Sequence, residues 1–159
     1  MASKKRLFLV DAYAMIFRGY YALIKNPRIN SKGQDTSAIM GFMNSLFDVI
    51  KRENPDHLAV CFDKDGSKDR KEMYVEYKAN RDATPTVIKD SIPIIQDILH
   101  AMEIPVVEIS GMEADDIIGT LAIQAEKQNY EVHMVTPDKD FAQLVTENIF
   151  MQRPARMGN

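Results

Sequence analysis

Apolar residues follow two alternating registers along the chain. Compact apolar runs at residues 7–10 and 58–62 have the length of strands buried on both faces, and the mainly apolar stretches 106–109 and 132–135 read as two more. Between them the apolar positions recur every three or four residues. Residues 36–52 place Ile39, Phe42, Met43, Leu46, Val49 and Ile50 on one stripe, and helical patterns return at 84–102 and 113–127. Thr84-Pro85 suits a helix start, because threonine caps and proline fits the first turn, whereas Pro93 should kink or divide that helix. Strands alternating with helices predict an α/β fold with a mostly parallel sheet flanked by helices. No internal repeat or low-complexity segment interrupts the alternation.

Composition changes this picture little. With 159 residues, 45% of them hydrophobic, the chain can bury one sizeable core, which favours a single domain. The lone cysteine, Cys61, sits within the run 58–62 and reads as core filler; with no intramolecular disulfide possible, a reducing cytoplasm is the expected compartment. The basic start Lys4-Lys5-Arg6 precedes too short an apolar run for a signal peptide, and no stretch has the length of a membrane span. Nothing demands more than a monomer.

Charge matters more. The net charge of −3 argues against a phosphate-binding surface, but only if the acids are evenly spread. Residues 64–81 carry six basic side chains (Lys64, Lys68, Arg70, Lys71, Lys78, Arg81) against four acids, with Tyr74 and Tyr77 interleaved. Such a stretch reads as a solvated loop, or as a place where tyrosines stack on bases and cations meet phosphates.

The acids themselves fall in a pattern. Asp11 follows the first predicted strand, Asp63 the second, Glu113, Asp115 and Asp116 the third, Asp138 and Asp140 the fourth. In a parallel sheet these are all carboxyl ends, where open α/β folds place their ligands. Each acid also has a structural reading. Ser110 and Glu113 fit a capping box, Asp115 and Asp116 complement a helix dipole, Asp138 fits a helix cap, and Asp11 or Asp63 taken alone reads as an ordinary strand-end turn acid. Capping does not predict two further acids closing two apolar strands on the same edge. Together the seven favour hard divalent ions such as Mg²⁺ or Mn²⁺, which prefer oxygen ligands and complete their shells with water and phosphate. The scattered histidines His57, His100 and His133 offer no zinc spacing. Two such ions would turn the net −3 into +1.

Read in order, Leu7-Phe8-Leu9-Val10-Asp11-Ala12-Tyr13, Ile16-Phe17-Arg18-Gly19-Tyr20-Tyr21, Phe62-Asp63, Tyr77-Lys78-Ala79-Asn80-Arg81, Gly111-Met112-Glu113-Ala114-Asp115-Asp116 and Thr136-Pro137-Asp138-Lys139-Asp140 form a series. This series resembles the motifs of bacterial DNA polymerase I 5′-nuclease domains, members of the flap endonuclease family, over about residues 5–154. The resemblance implies a PIN-like, Rossmann-like three-layer fold with a mobile arch or gateway over 64–83. It implies hydrolysis of DNA at 5′ ends, nicks and flaps, as in primer removal during replication and repair, in the bacterial cytoplasm at the nucleoid. Two ions, about 4 Å apart, serve the attacking and leaving oxygens. By the match, Asp11, Asp63, Glu113, Asp115, Asp116, Asp138 and Asp140 hold those ions directly or through water. Lys78 and Arg81 meet the scissile phosphate, Arg18 and Arg70 the substrate strand, and Tyr77 stacks on the terminal base or packs on its own helix.

Two departures accompany the resemblance. The family commonly has an aromatic before the arginine at the position of Arg70, where this chain has Lys68-Asp69. The family also continues into a helix-three-turn-helix module that grips duplex DNA and supplies two more aspartates. A sequence stopping at Asn159 is therefore expected to be a fragment with weak or absent cleavage, continuous in its parent with that module and possibly a polymerase. Two alternatives stay open, a PIN-type ribonuclease and a non-catalytic DNA-binding domain. A receiver domain is disfavoured, because no lysine ends the last strand.

Overall fold

The first apolar run becomes strand β1 (Arg6–Asp11), the centre of a five-stranded sheet. The computed structural model describes residues 3–64 and 85–154. Strands β2 (His57–Cys61), β3 (Val106–Val107), β4 (Glu131–Val135) and β5 (Ile149–Gln152) complete the sheet in the order β3-β2-β1-β4-β5. All four pairings are parallel. Parallel neighbours require crossovers, which among the described residues contain α1 (Ala12–Ala22), α2 (Ser37–Glu53), α3 (Thr86–Ala101) and α4 (Ala114–Lys127), with a short 3₁₀ helix between β4 and β5.

Strand alternation divides the interior in two. Phe8 and Val10 face Met15, Phe42, Leu46, Ile95 and Leu99 from α1, α2 and α3. Leu9, on the opposite face, packs with Ala59, Met134 and Ile149 against Ile117, Ile118 and Ala122 of α4. The sheet is thus covered on both sides, which is why its strands read as continuous apolar runs. Phe8, Leu9 and Val10 are essentially inaccessible to water, and burial of each contributes about 1.5–3 kcal/mol. Register also aligns Phe8, His133 and Phe150, whose rings stack at 4.5 and 5.1 Å. Among the described residues no helix is long and apolar enough to cross a membrane.

The structure departs from two of these expectations and adds two elements. Pro93 does not divide α3, which runs through it as one helix. Pro93 and Lys89 are both exposed, so the carbonyl that loses its partner there faces water. Strand β3 stops at Val107 instead of Ile109; it lies at the sheet edge, and its pairing with β2 ends with the Phe62 N–H donating to the Val107 carbonyl at 2.9 Å. Helix α1 and strand β5 were not anticipated, because α1 follows β1 with no intervening turn and β5 is only four residues long. The predicted cap Thr84 and the gateway segment, apart from Lys64, lie outside the described residues.

Candidate active site

Every acid singled out in the sequence lies at or follows the carboxyl end of a strand. Asp11 ends β1 and occupies the N-cap of α1, with an extended backbone. Its carboxylate accepts the Ala14 N–H at 3.5 Å through Oδ1 and the Thr136 hydroxyl at 3.0 Å through Oδ2. It is only 5% exposed, and a buried carboxylate needs such partners to offset its lost hydration. Neighbouring β4 ends at Val135, in register with Val10, so Thr136 stands beside Asp11. Two residues on, Asp138 caps a 3₁₀ helix (Lys139–Leu144) by accepting the Asp140 N–H at 2.9 Å.

On the other side of β1, Cys61 of β2 pairs with Asp11, and Asp63 follows two residues later. Asp63 Oδ1 accepts the N–H of Ala114, the first residue of α4, at 2.5 Å. This displaces the capping box read from the sequence. Helix α4 begins one turn later than a Ser110 cap requires, with Glu113 at its N-cap making no side-chain cap bond. Gly111, at φ 78°, turns the chain there. The acid that satisfies the helix start thus comes from a different strand end.

Capping therefore accounts for both strand-end acids, which the sequence pattern alone had set apart from caps. It does not consume them. A carboxylate oxygen has further lone pairs, and three helix starts, with their outward-pointing N–H groups, meet on this edge. Glu113 and Asp115 are half-buried, while Asp116 and Asp140 are exposed. The donor set is uniformly hard oxygen and so suits a hard divalent cation in kind. Among the described residues no three such side chains are gathered closely enough to enclose an ion. An ion here would draw the rest of its shell from water and from a ligand's oxygens.

Sequence reading missed Thr136 as a participant, although its place in Thr-x-Asp-x-Asp was visible. Tyr13, in the first turn of α1, was missed also. Burial, and secondarily the Asp63 carboxylate, raise the Tyr13 phenol above its usual value and keep it protonated. With Phe17 and Tyr21 it forms an aromatic row along α1, with centroids 6.2 and 6.3 Å apart. Arg18, half-buried on the same helix, lies seven residues beyond Asp11, roughly 10 Å along the axis. Arg70, Tyr77, Lys78 and Arg81 lie outside the described residues.

Residues 6–158 match the family described as 5′-3′ exonuclease, N-terminal resolvase-like domain. The chain is 39% identical to a 5′-3′ exonuclease of Aquifex aeolicus over 150 residues, covering 94% of this chain and 51% of that protein. It is 39% identical to DNA polymerase I of Borreliella burgdorferi over 145 residues, covering 91% of this chain and 16% of that protein. The chain thus spans about half the length of one relative and about a sixth of the other. In fold it is similar to the bacteriophage T5 D15 flap endonuclease, solved as a pseudo-enzyme-product complex with DNA and metal ions. The TM-score is 0.65 at 18% identity, over 94% of this chain and 55% of that one. The sheet order, the acids at its carboxyl edge and the match over nearly the whole chain lead to one conclusion: the chain belongs to the family of 5′-3′ exonuclease N-terminal, resolvase-like domains.

Proposed function

We propose that the chain is the catalytic part of a structure-specific 5′-nuclease, which hydrolyses DNA phosphodiesters at 5′ ends and flaps with two Mg²⁺ or Mn²⁺ ions, in replication and repair. The observation carrying this reading is that Asp11, Asp63, Glu113, Asp115, Asp116, Asp138 and Asp140 all lie at or follow strand ends on the carboxyl edge of one parallel sheet. When bound, the ions supply an activated water and neutralise charge on the reacting phosphate.

The protein's own contribution is to orient and to bind. The partly buried carboxylates Asp11 and Asp63 are held by Thr136 and by the Ala114 amide, so they reach an ion without first reorganising. The exposed Asp116 and Asp140 face solvent, where ion-bound water and phosphate oxygens enter. Lys78 and Arg81 contact the scissile phosphate, Arg18 and Arg70 the substrate strand, and Tyr77 the terminal base. These five roles rest on the family resemblance. Relatives much longer than this chain support a further DNA-gripping part in the parent protein and weak cleavage by this part alone.

The test is calorimetric titration of Mn²⁺ into this chain and into an Asp116→Ala, Asp138→Ala variant, alongside cleavage of a 5′-flap DNA and of single-stranded RNA. Expected are Mn²⁺ binding that the variant loses, and slow cleavage confined to the flap. RNA cleavage in preference to the flap replaces this reading with a ribonuclease, and absence of Mn²⁺ binding removes the metal site.

A further inference from the structure

The register that pairs Val10 with Val135 sets the next residues, Asp11 and Thr136, side by side at the sheet edge. Thr136 is wholly buried. Its hydroxyl donates to Asp11 Oδ2 at 3.0 Å and accepts the Asp138 N–H at 3.1 Å. A hydroxyl has one hydrogen and two lone pairs, so the hydrogen is committed to one candidate ligand and a lone pair to the backbone of another. The Thr136 amide donates to the Gln152 carbonyl at 3.0 Å, so β5 holds the Thr136 backbone independently of its side chain. The other buried hydroxyls among the described residues act locally. Ser91 donates to Val87 within its own helix, and Ser37 accepts the Arg28 N–H just before α2.

From this geometry we infer that Thr136 is a positioning residue of the metal site. It fixes the rotamer of Asp11 against the Asp138–Asp140 turn and so joins the acids of β1 and β4 into one unit. The inference rests on the proposed metal-binding role of those acids and adds a residue to it. Valine has nearly the shape of threonine but leaves Asp11 Oδ2 and the Asp138 amide without this partner. Partners one shell out from a metal ligand typically govern about 10–100-fold in affinity.

The experiment is Mn²⁺ titration of the parent chain, Thr136→Val and Thr136→Ser, with thermal melts in the absence of metal. Thr136→Val is expected to melt cooperatively and to bind Mn²⁺ about 10–100-fold more weakly, and Thr136→Ser to restore parental affinity. A valine variant that binds as tightly as the parent, or a serine variant as weak as valine, overturns the role. If Thr136→Val does not melt cooperatively, Thr136→Ala against Thr136→Ser makes the same comparison, and equal affinities overturn it. A parent chain that binds no Mn²⁺ overturns the metal reading and this role with it; parental binding with an unaffected valine variant overturns this role alone.

Discussion

Cys61 shows how far the interior sets the chemistry of a single side chain. It is fully buried in the core beneath α4, and its thiol is pushed up to about 12, chiefly by burial and then by the Asp11 carboxylate. The thiolate is the reactive species, so the folded protein should resist alkylation at pH 8. Iodoacetamide followed by mass spectrometry is expected to leave Cys61 unmodified in native buffer and to label it fully in guanidinium; rapid native labelling would contradict the burial. The linkage has a definite sign. The unfolded thiol ionises near 9.0 and the folded one near 12, so stability is intact below pH 9 and declines as pH rises toward 12. Glu53 works in the opposite direction. Its bond to Arg6, at 2.8 Å, is the main cause of a lowered carboxyl pKa. That contribution is present above the ordinary carboxylate range and lost as pH falls through the lowered value.

At the scale of elements, α1 and α2 cross where Gly19 meets Gly41. A methyl added at Gly19 would lie 2.7 Å from the Gly41 carbonyl carbon, and one added at Gly41 would collide with the Gly19 Cα. Alanine favours a helix by about 1 kcal/mol over glycine, but overpacking costs about 1–3 kcal/mol, and here the obstacle is backbone that cannot swing aside. Gly41→Ala is therefore expected to lower the thermal midpoint by several degrees. Gly119→Ala, whose methyl meets only the flexible Leu144 tip at 3.2 Å, should leave it nearly unchanged. Equal midpoints for the two variants in a calorimetric scan would contradict this packing account. The same elements show what could be read from sequence. Residues 36–52 announced α2 because its apolar stripe repeats over four turns, and the runs at 7–10 and 58–62 announced β1 and β2 because burial on both faces excludes polar residues, while 132–135 announced β4 with only His133 interrupting it. Helix α1 stayed hidden because no turn residue separates Asp11 from Ala12. Asp11 and Asp63 were legible because each closes an apolar run, and the other five because they follow one within a few residues. Their partners, Ala114 for Asp63 and Thr136 for Asp11, were not, because strand register sets those contacts and no local pattern encodes them.

For the molecule as a whole, the proposed function makes cation binding by the acids at one edge a term in stability. A ligand at 100 times its dissociation constant stabilises the state it binds by about 2.7 kcal/mol, which for a chain of this size corresponds to a rise of roughly 5–10 °C. On the proposed function, saturating Mn²⁺ should raise the melting temperature by about that much. The Asp116→Ala, Asp138→Ala variant should show no rise beyond that produced by KCl of equal ionic strength, and an equal rise in parent and variant would trace the effect to general screening. The central place of β1 carries a different consequence, for the order in which the chain can be assembled during synthesis. Leu7 pairs with His57 and Arg6 with Glu131, so β1 emerges from the ribosome well before either neighbour exists. Closing the longer of these loops costs only about 0.8 kcal/mol more than closing the shorter. The delay is thus one of supply and not of energy: the central strand of the sheet waits, half-covered by α1 and α2, until its last partner has been made.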